Sequence, residues 1–450
     1  MRYVLGSLAA VLLLAAAPIG AAEVAPQTCQ DHSNALLDAL ARGDFANADK
    51  DFDSVVSQTL PAEKLQQVWT QIQTQAGVYQ QHAAPTMKSV AGQPLVVTHV
   101  SFAAMPLDAL VACDADGRIS TFRLVPTQAT VGPSATTTVK GVRERPLAVT
   151  SPLGPLPGTL TLPHGDGPFP AVLLLAGSGP NDRDETIGPN KPFRDVAQGL
   201  AAAGIASLRY DKRTRVYATQ MAEAQKAGKA LTVDDEVTDD ALSALKLLAK
   251  QPAVDGKRVF VLGHSLGAMM APRVGQRDMQ LAGLVLLAAP ATLDLDTVIR
   301  QMRYIGQQQG LSAAAMDEQL APVIQARAAL AKVDAAHPPD QLYFHAPASY
   351  WLSLRDYDAV EVAASLRMPM LVLQGGGDYQ VTPKHDFARW QAAFPDSHRV
   401  QLKEYPSLSH LFMPAGAVPG PADFAKPAHV DAGVIRDIAS WIKAQPAVGP

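Results

Sequence analysis

The chain is short of several things that would assign it to a large class. Only two of its 450 residues are cysteine, Cys29 and Cys113. Charge is modest and balanced, with 38 Lys and Arg against 42 Asp and Glu and a net charge of −4. A nucleic-acid partner would call for a basic face, and nothing here supplies one. There is no internal repeat, no extended low-complexity tract, and no bias of the disordered or collagen-like kind. Beyond the first twenty or so residues, no stretch is long and apolar enough to span a bilayer.

What is present reads as a globular chain, 48% hydrophobic. Its length exceeds one ordinary domain and suggests two. At the N-terminus, Arg2 precedes an almost wholly apolar run, Tyr3 to Ala17, and then the small residues Gly20, Ala21 and Ala22. That pattern predicts a secretory signal peptide over 1–22. The alternative is a membrane anchor. The run falls short of the roughly 20 residues such a helix needs, and no basic stop follows it. No Cys stands at the cleavage point, which disfavours a lipoprotein. In an oxidising compartment the two cysteines are an even pair able to bridge. Two unrelated buried thiols are the alternative; the bridge is favoured because it ties the mature N-terminus to its own domain.

Residues 23–127 predict a small α+β domain. Helical spacing of apolar residues covers Asn34–Arg42, Phe45–Gln58 and Ala62–Gln75, with Pro61 suited to a helix start. Val78–Val90, Leu95–Phe102, Asp108–Cys113 and Ile119–Val125 follow as β segments, with Asp116-Gly117 as a hairpin signal. Residues 128–141 have linker composition. From 142 to 450, strands alternate with helices, which implies a mostly parallel sheet covered on both faces. Between about Thr292 and Leu366 no strand is evident, and helical spacing recurs. That stretch predicts a helical cap at about 292–366, since a loop of such length without structure is improbable.

The chemistry centres on Gly263-His264-Ser265-Leu266-Gly267. An apolar strand leads into this Gly-x-Ser-x-Gly and a helix leads out, which is the context of a nucleophile elbow. A bare motif recurs by chance; the flanking strand and helix make this one specific. A serine hydroxyl needs a base, and the base needs an orienting acid. Asp378, just past the strand Met370–Gln374, is the acid that would share a rim with Ser265. Asp386 and Asp396 are weaker rivals, and Asp356 and Asp358 precede the strand. Among the later histidines, His410 lies in a loop directly after the strand ending near Glu404, where the base belongs. His385 stands beside Asp386, His398 is at the wrong end of a strand, and His429 begins a helix.

An oxyanion needs backbone N–H donors. Leu266 is one candidate. The other lies in Ala176-Gly177-Ser178-Gly179-Pro180, with Ser178 first and Gly179 next. As a phosphate loop this stretch fails, because no Lys-Ser/Thr follows. The acidic runs Asp234-Asp235-Glu236 and Asp239-Asp240 read as complements to a helix N-terminus in preference to a metal site. Arg209–Arg213 reads as a structural set of ion pairs, with a place in the substrate pocket as the alternative.

These residues carry a resemblance. Ala-Gly-Ser-Gly-Pro-Asn-Asp-Arg-Asp, Leu208–Arg213, Gly-His-Ser-Leu-Gly, Ala348–Leu352 with Tyr357-Asp358, and Leu373–Val381 are similar to a group of bacterial secreted α/β-hydrolases that includes carboxylesterases. The resemblance spans roughly Val142 to the C-terminus. The leading domain more loosely resembles a small domain of unknown function found before such hydrolases. In the wider family the oxyanion loop often opens with His-Gly; Ala176 replaces that histidine here. The resemblance implies an α/β-hydrolase core with a helical cap, no cofactor or metal, and hydrolysis of small-molecule short-chain acyl esters through Ser265, Asp378 and His410. A serine peptidase of the prolyl-oligopeptidase type shares the core and the motifs, although the leading region is too short for a propeller. A non-catalytic binding scaffold is disfavoured by the complete triad.

Overall fold

The computed structural model describes residues 26–449, apart from 77, 91–92, 103–106, 127–137, 140–141, 340 and 345. The signal segment expected at 1–22 lies outside the described residues. The chain divides into two compact units, with the division falling between Thr130 and Val131.

In the first unit, helices Pro26–Arg42, Phe45–Ala48, Ser54–Thr59 and Ala62–Ala76 precede five strands. These are β1 (Tyr79–His82), β2 (Thr86–Val90), β3 (Gln93–Phe102), β4 (Leu107–Cys113) and β5 (Ile119–Pro126). They form an antiparallel sheet in the order β1-β3-β4-β5, with β2 also on β3. Two expectations need correction. The single helix expected over Phe45–Gln58 is broken, because Asp53 adopts an extended backbone and caps a new helix by accepting the Val56 N–H at 2.7 Å. Phe52 beside it turns into the core and bridges to Ile119. The β segment expected over Val78–Val90 is two strands, and Pro85, with no N–H to give to a ladder, sits in the gap. The Asp116-Gly117 hairpin is present: Asp114 accepts from the N–H groups of Asp116 and Arg118, and Gly117 has φ +79°. Cys29 and Cys113 form a disulfide.

The second unit is built on β6 (Thr138–Val139), β7 (Val142–Ser151), β8 (Gly154–Leu162), β9 (Phe169–Leu175), β10 (Ala206–Tyr210), β11 (Val254–His264) and β12 (Gly283–Leu287). A two-stranded ribbon, β13 (Leu342–Tyr343) and β14 (Ala346–Pro347), precedes β15 (Met370–Gly375) and β16 (Val400–Tyr405). The main sheet has nine strands in the order β16-β15-β12-β11-β9-β10-β8-β7-β6. From β10 to β16 the neighbours run parallel; β8, β7 and β6 attach antiparallel. The expected linker at 128–141 is thus partly strand, since Thr138–Val139, two β-branched residues, pair with β7.

Strands β10, β12 and β15 are buried along their whole length, and β9 and β11 through their carboxyl-terminal parts, because both faces are covered. Leu173, Val261, Leu286 and Val372 face one hydrophobic cluster, which also takes the helices Asp239–Ala249 and Leu266–Arg277. Their neighbours Leu174, Leu262, Val285 and Leu373 face the other, with helices Pro192–Ala202 and Ala432–Ala444. This is the α/β class read from the sequence. The insertion supplies helices Leu295–Gln308, Ala313–Leu330, Ala348–Arg355 and Ala359–Ser365, and packs Val298, Met302, Leu320 and Trp351 into the first cluster. It also contains the ribbon β13–β14, against the expectation of no strand. Strands of two residues are too short to show a period. No described helix is long and apolar enough to cross a membrane.

The Cys29–Cys113 bridge closes a loop with a sequence separation of 84. Chain entropy assigns such a loop about 4–5 kcal/mol. Reduction with dithiothreitol is expected to lower the thermal transition of the first unit in the full chain, followed by calorimetry. An unchanged transition would contradict a bridge that stabilises.

Candidate active site

Strand β11 delivers Ser265 to the carboxyl edge of the sheet. The chain reverses there, with Ser265 at φ +52° and ψ −121°, and the helix Leu266–Arg277 begins at the next residue. Such a backbone costs roughly 1–3 kcal/mol in a non-glycine residue and persists only where its surroundings enforce it. Here the Ser265 N–H is held by the Leu287 carbonyl of β12 at 2.9 Å. The flanking glycines are steric requirements. A Cβ on Gly263 would lie 2.2 Å from the Gly267 carbonyl oxygen, and one on Gly267 would lie 2.1 Å from that of Leu175.

Asp378 and His410 meet at the ends of β15 and β16. The Asp378 side chain is buried and each oxygen is engaged. Oδ1 accepts the N–H groups of Gln380 and Val381 at 2.8 and 2.9 Å, and Oδ2 accepts from His410 Nδ1 at 2.6 Å. Because Nδ1 donates, Nε2 is left with its lone pair, the form a general base requires. Gly375-Gly376-Gly377 allows the two loops to touch. The Gly376 and Gly377 N–H groups donate to the Tyr405 and Leu408 carbonyls at 2.8 and 2.9 Å, and a Cβ on Gly375 would meet the Ser409 carbonyl oxygen at 2.4 Å.

The rival carboxylates are elsewhere. Asp386 accepts the N–H groups of Ala291 and Thr382 at 3.3 and 3.1 Å and lies 3.8 Å from Arg300. It ties the start of the insertion to the loop after β15. Burial is the main cause that pushes its pKa up to about 6. Asp358 caps the helix Ala359–Ser365 and pairs with Arg389. His429 pairs with Asp195.

The loop after β9 is gripped by carboxylates. Glu185 Oε1 accepts the Gly177 N–H at 2.6 Å, and Glu236 Oε1 accepts the Gly179 N–H at 3.0 Å. Between them the Ser178 N–H makes no hydrogen bond among the described residues. The Leu266 N–H, first in its helix, has no intrahelical partner either. Of the two candidates in this loop, Ser178 therefore offers a free donor and Gly179 does not. Gly177 is tightly packed, as a Cβ there would sit 3.1 Å from Glu185 Oε1 and 3.2 Å from Ser265 Cβ, so these neighbours would have to shift.

Glu236 is itself fixed by Lys212 Nζ at 2.5 Å and by the Tyr350 hydroxyl at 2.6 Å, and Lys212 also donates to the Gly177 carbonyl at 2.8 Å. The charged side chains of the Arg209–Arg213 stretch are all paired. Arg209 binds Asp184 and Glu144, Asp211 binds Arg183, and Arg213 makes two bonds to Asp240. The acidic run stands in the first turns of the helical segments Asp234–Thr238 and Asp239–Ala249, as its sequence implies, and it also forms ion pairs. Asp234–Thr238 is a π-helical turn, and its acids serve as ion-pair partners: Asp234 for Arg273 and Arg277, Glu236 for Lys212, and Asp240 beyond it for Arg213. No group of three or more His, Cys, Asp or Glu among the described residues is arranged to hold a metal ion.

Two residues that the sequence did not single out complete the site. His264 is buried with Nδ1 2.9 Å from Glu185 Oε1 and Nε2 2.9 Å from the His410 carbonyl oxygen. Burial opposes a charge on this imidazole. The Glu185 carboxylate, the His410 carbonyl and the charge of Asp378 outweigh it and raise its pKa above the usual value. His264 lies inside the elbow motif, which signals its closeness to the site; Glu185 carries no such signal, because its role depends on a left-handed backbone, φ +52°.

A family model described as serine aminopeptidase, S33 matches residues 191–414. A second, described as a protein of unknown function (DUF3887), matches residues 33–122. The esterase EstD of Thermotoga maritima is 41% identical over 287 residues, 64% of this chain and 65% of that protein, so a little less than two thirds of the relative is spanned. Among solved structures, Est1E from Butyrivibrio proteoclasticus is 14% identical with a TM-score of 0.43, covering 67% of this chain and 99% of that one. Dipeptidyl peptidase 4 of Porphyromonas gingivalis is 12% identical with a TM-score of 0.41, covering 80% and 43%. Those two likenesses are too remote to bear on function.

Gly267→Ala is expected to lose about 3 kcal/mol of stability, the upper range for overpacking, because its contact is rigid backbone. Urea denaturation of the purified variant checks this. A loss below about 1 kcal/mol would contradict the close approach.

Proposed function

We propose that the chain is a member of the α/β-hydrolase superfamily and a serine carboxylic-ester hydrolase acting on small-molecule, short-chain acyl esters, a reading that the family and esterase matches support. The observation that carries this reading is the buried 2.6 Å bond from His410 to Asp378, on the sheet edge where Ser265 is held at positive φ. His410 Nε2 takes the proton of the Ser265 hydroxyl as Oγ attacks the ester carbonyl. The developing oxyanion is met by the N–H groups of Leu266 and Ser178. The imidazolium, stabilised by Asp378, then protonates the leaving alcohol, and water, activated by the same histidine, releases the acid from the acyl-enzyme. Each step uses groups of this chain alone.

A peptidase reading has one specific support, the description of the family model over 191–414 as a serine aminopeptidase. The ester reading is supported by the more extensive match to an esterase. We infer a periplasmic or extracellular location from the apolar N-terminal segment, a reading that the Cys29–Cys113 bridge supports.

Turnover of p-nitrophenyl acetate and butyrate is expected to exceed that of aminoacyl-anilides; dominant anilide turnover would sink the ester reading. Ser265→Ala should keep its fold and lose on the order of 10⁴-fold or more in kcat. Intact mass of the exported protein should correspond to a chain starting near Glu23, and a mass that retains 1–22 would contradict export with cleavage.

A further inference from the structure

We propose that the buried pair Glu185–His264 is a positioning device that sets the oxyanion loop and the catalytic base in register with each other. Glu185 Oε1 holds the Gly177 N–H at 2.6 Å and His264 Nδ1 at 2.9 Å, and His264 Nε2 holds the His410 backbone carbonyl at 2.9 Å. One carboxylate oxygen is thus joined to the loop that offers the Ser178 N–H and, through one imidazole, to the residue that carries the base. The proposal rests on the triad reading and deepens it, since Glu185 and His264 act through His410 and Ser178.

A hydrogen-bond inventory shows why this pair is a carboxylate and an imidazole. A carbonyl oxygen can only accept, so Nε2 of His264 carries a proton. An ionised Glu185 also only accepts, so Nδ1 carries one as well. With Glu185 as the carboxylate, both contacts are met by an imidazolium, the form that the raised pKa of His264 favours. With glutamine at 185 the charge that favours the second proton is gone. A neutral imidazole then serves Nδ1 or Nε2 as donor, and one of the three contacts is broken. The groups around His264 are Glu185, the His410 ring at a centroid distance of 4.6 Å, Asp378, and Lys212 through the Gly177 carbonyl. Glu185 Oε2 is buried without a partner, so the whole interaction is concentrated on Oε1.

The pH dependence follows from the raised pKa of His264. Below its ordinary value of about 6.5 the imidazolium is present whether the chain is folded or not, and the contact contributes fully. As pH rises through the folded value, which lies above 6.5, the proton leaves and the contact is lost. Wild-type kcat should therefore carry an alkaline limb that belongs to His264.

The test is steady-state hydrolysis of p-nitrophenyl butyrate by the full chain, with pH profiles, for wild type, Glu185→Gln, His264→Gln and the double variant. Each single variant should lose roughly 10- to 100-fold in kcat with KM within about threefold, as a small misplacement of catalytic groups does. The alkaline limb should vanish in both. The double variant should be no worse than the poorer single, because the two residues act as a unit. A kcat within about twofold of wild type, a retained limb, or losses that multiply would overturn the proposal. An arm free of mutation uses wild type labelled with ¹⁵N-histidine: the His264 imidazole should titrate above its ordinary value of about 6.5, and titration at or below that value overturns the proposal even if the variants do not fold. Failure of the triad reading is distinguishable, because it appears as turnover retained by Ser265→Ala whatever the Glu185 variants do.

Discussion

Two buried carboxylates grip the loop after β9 by its backbone. Glu185 takes the Gly177 N–H and Glu236 takes the Gly179 N–H, and the Ser178 N–H between them stays free. The rest of the site is arranged around that loop. A stretch of glycine, serine and proline has little conformational preference of its own, and a backbone donor aimed at a developing charge is useful only if it does not need to reorganise. Charge-assisted hydrogen bonds from both sides supply the rigidity that small side chains cannot.

The ions that do the gripping are themselves anchored. Glu236 is held by Lys212 and Tyr350, Lys212 also by the Gly177 carbonyl, and Arg213 by Asp240. Burying such pairs gains little net stability, because desolvation offsets most of the attraction, but removing one partner leaves an uncompensated charge. The network consequently enforces one arrangement of the loops after β9 and β10 and of the helical turn that follows. The insertion joins it through Tyr350, from the helix Ala348–Arg355. The elbow works by the opposite means. There, backbone approaches so closely at Gly263 and Gly267 that no side chain fits, and Ser265 is held in its left-handed conformation by packing and by one bond to β12.

Much of this was legible in the sequence, and the reason is locality. The elbow advertises itself because strand, motif and helix are contiguous. Asp378 and His410 are legible because each follows its strand within a few residues, so chain order and strand ends suffice to place them at one edge. What was missed depends on partners far away in sequence or on backbone conformation. Glu236 lies 57 residues from the Gly179 it holds, and its place in an acidic run suggested a helix terminus. Glu185 is near in sequence but works through a positive φ that no residue type signals. The helix expected over Phe45–Gln58 failed because Asp53 competes for the backbone as a cap, and the ribbon at 342–347 because its strands have no periodicity to read.

The chemistry of the site turns on Ser265 being an activated nucleophile. Its most direct test is exposure of the full-length protein to a p-nitrophenyl phosphonate, followed by proteolysis and mass spectrometry. A stoichiometric phosphonyl adduct is expected on the peptide that contains Ser265, with formation abolished in His410→Ala. Absence of an adduct, or an adduct on a different serine, would contradict it.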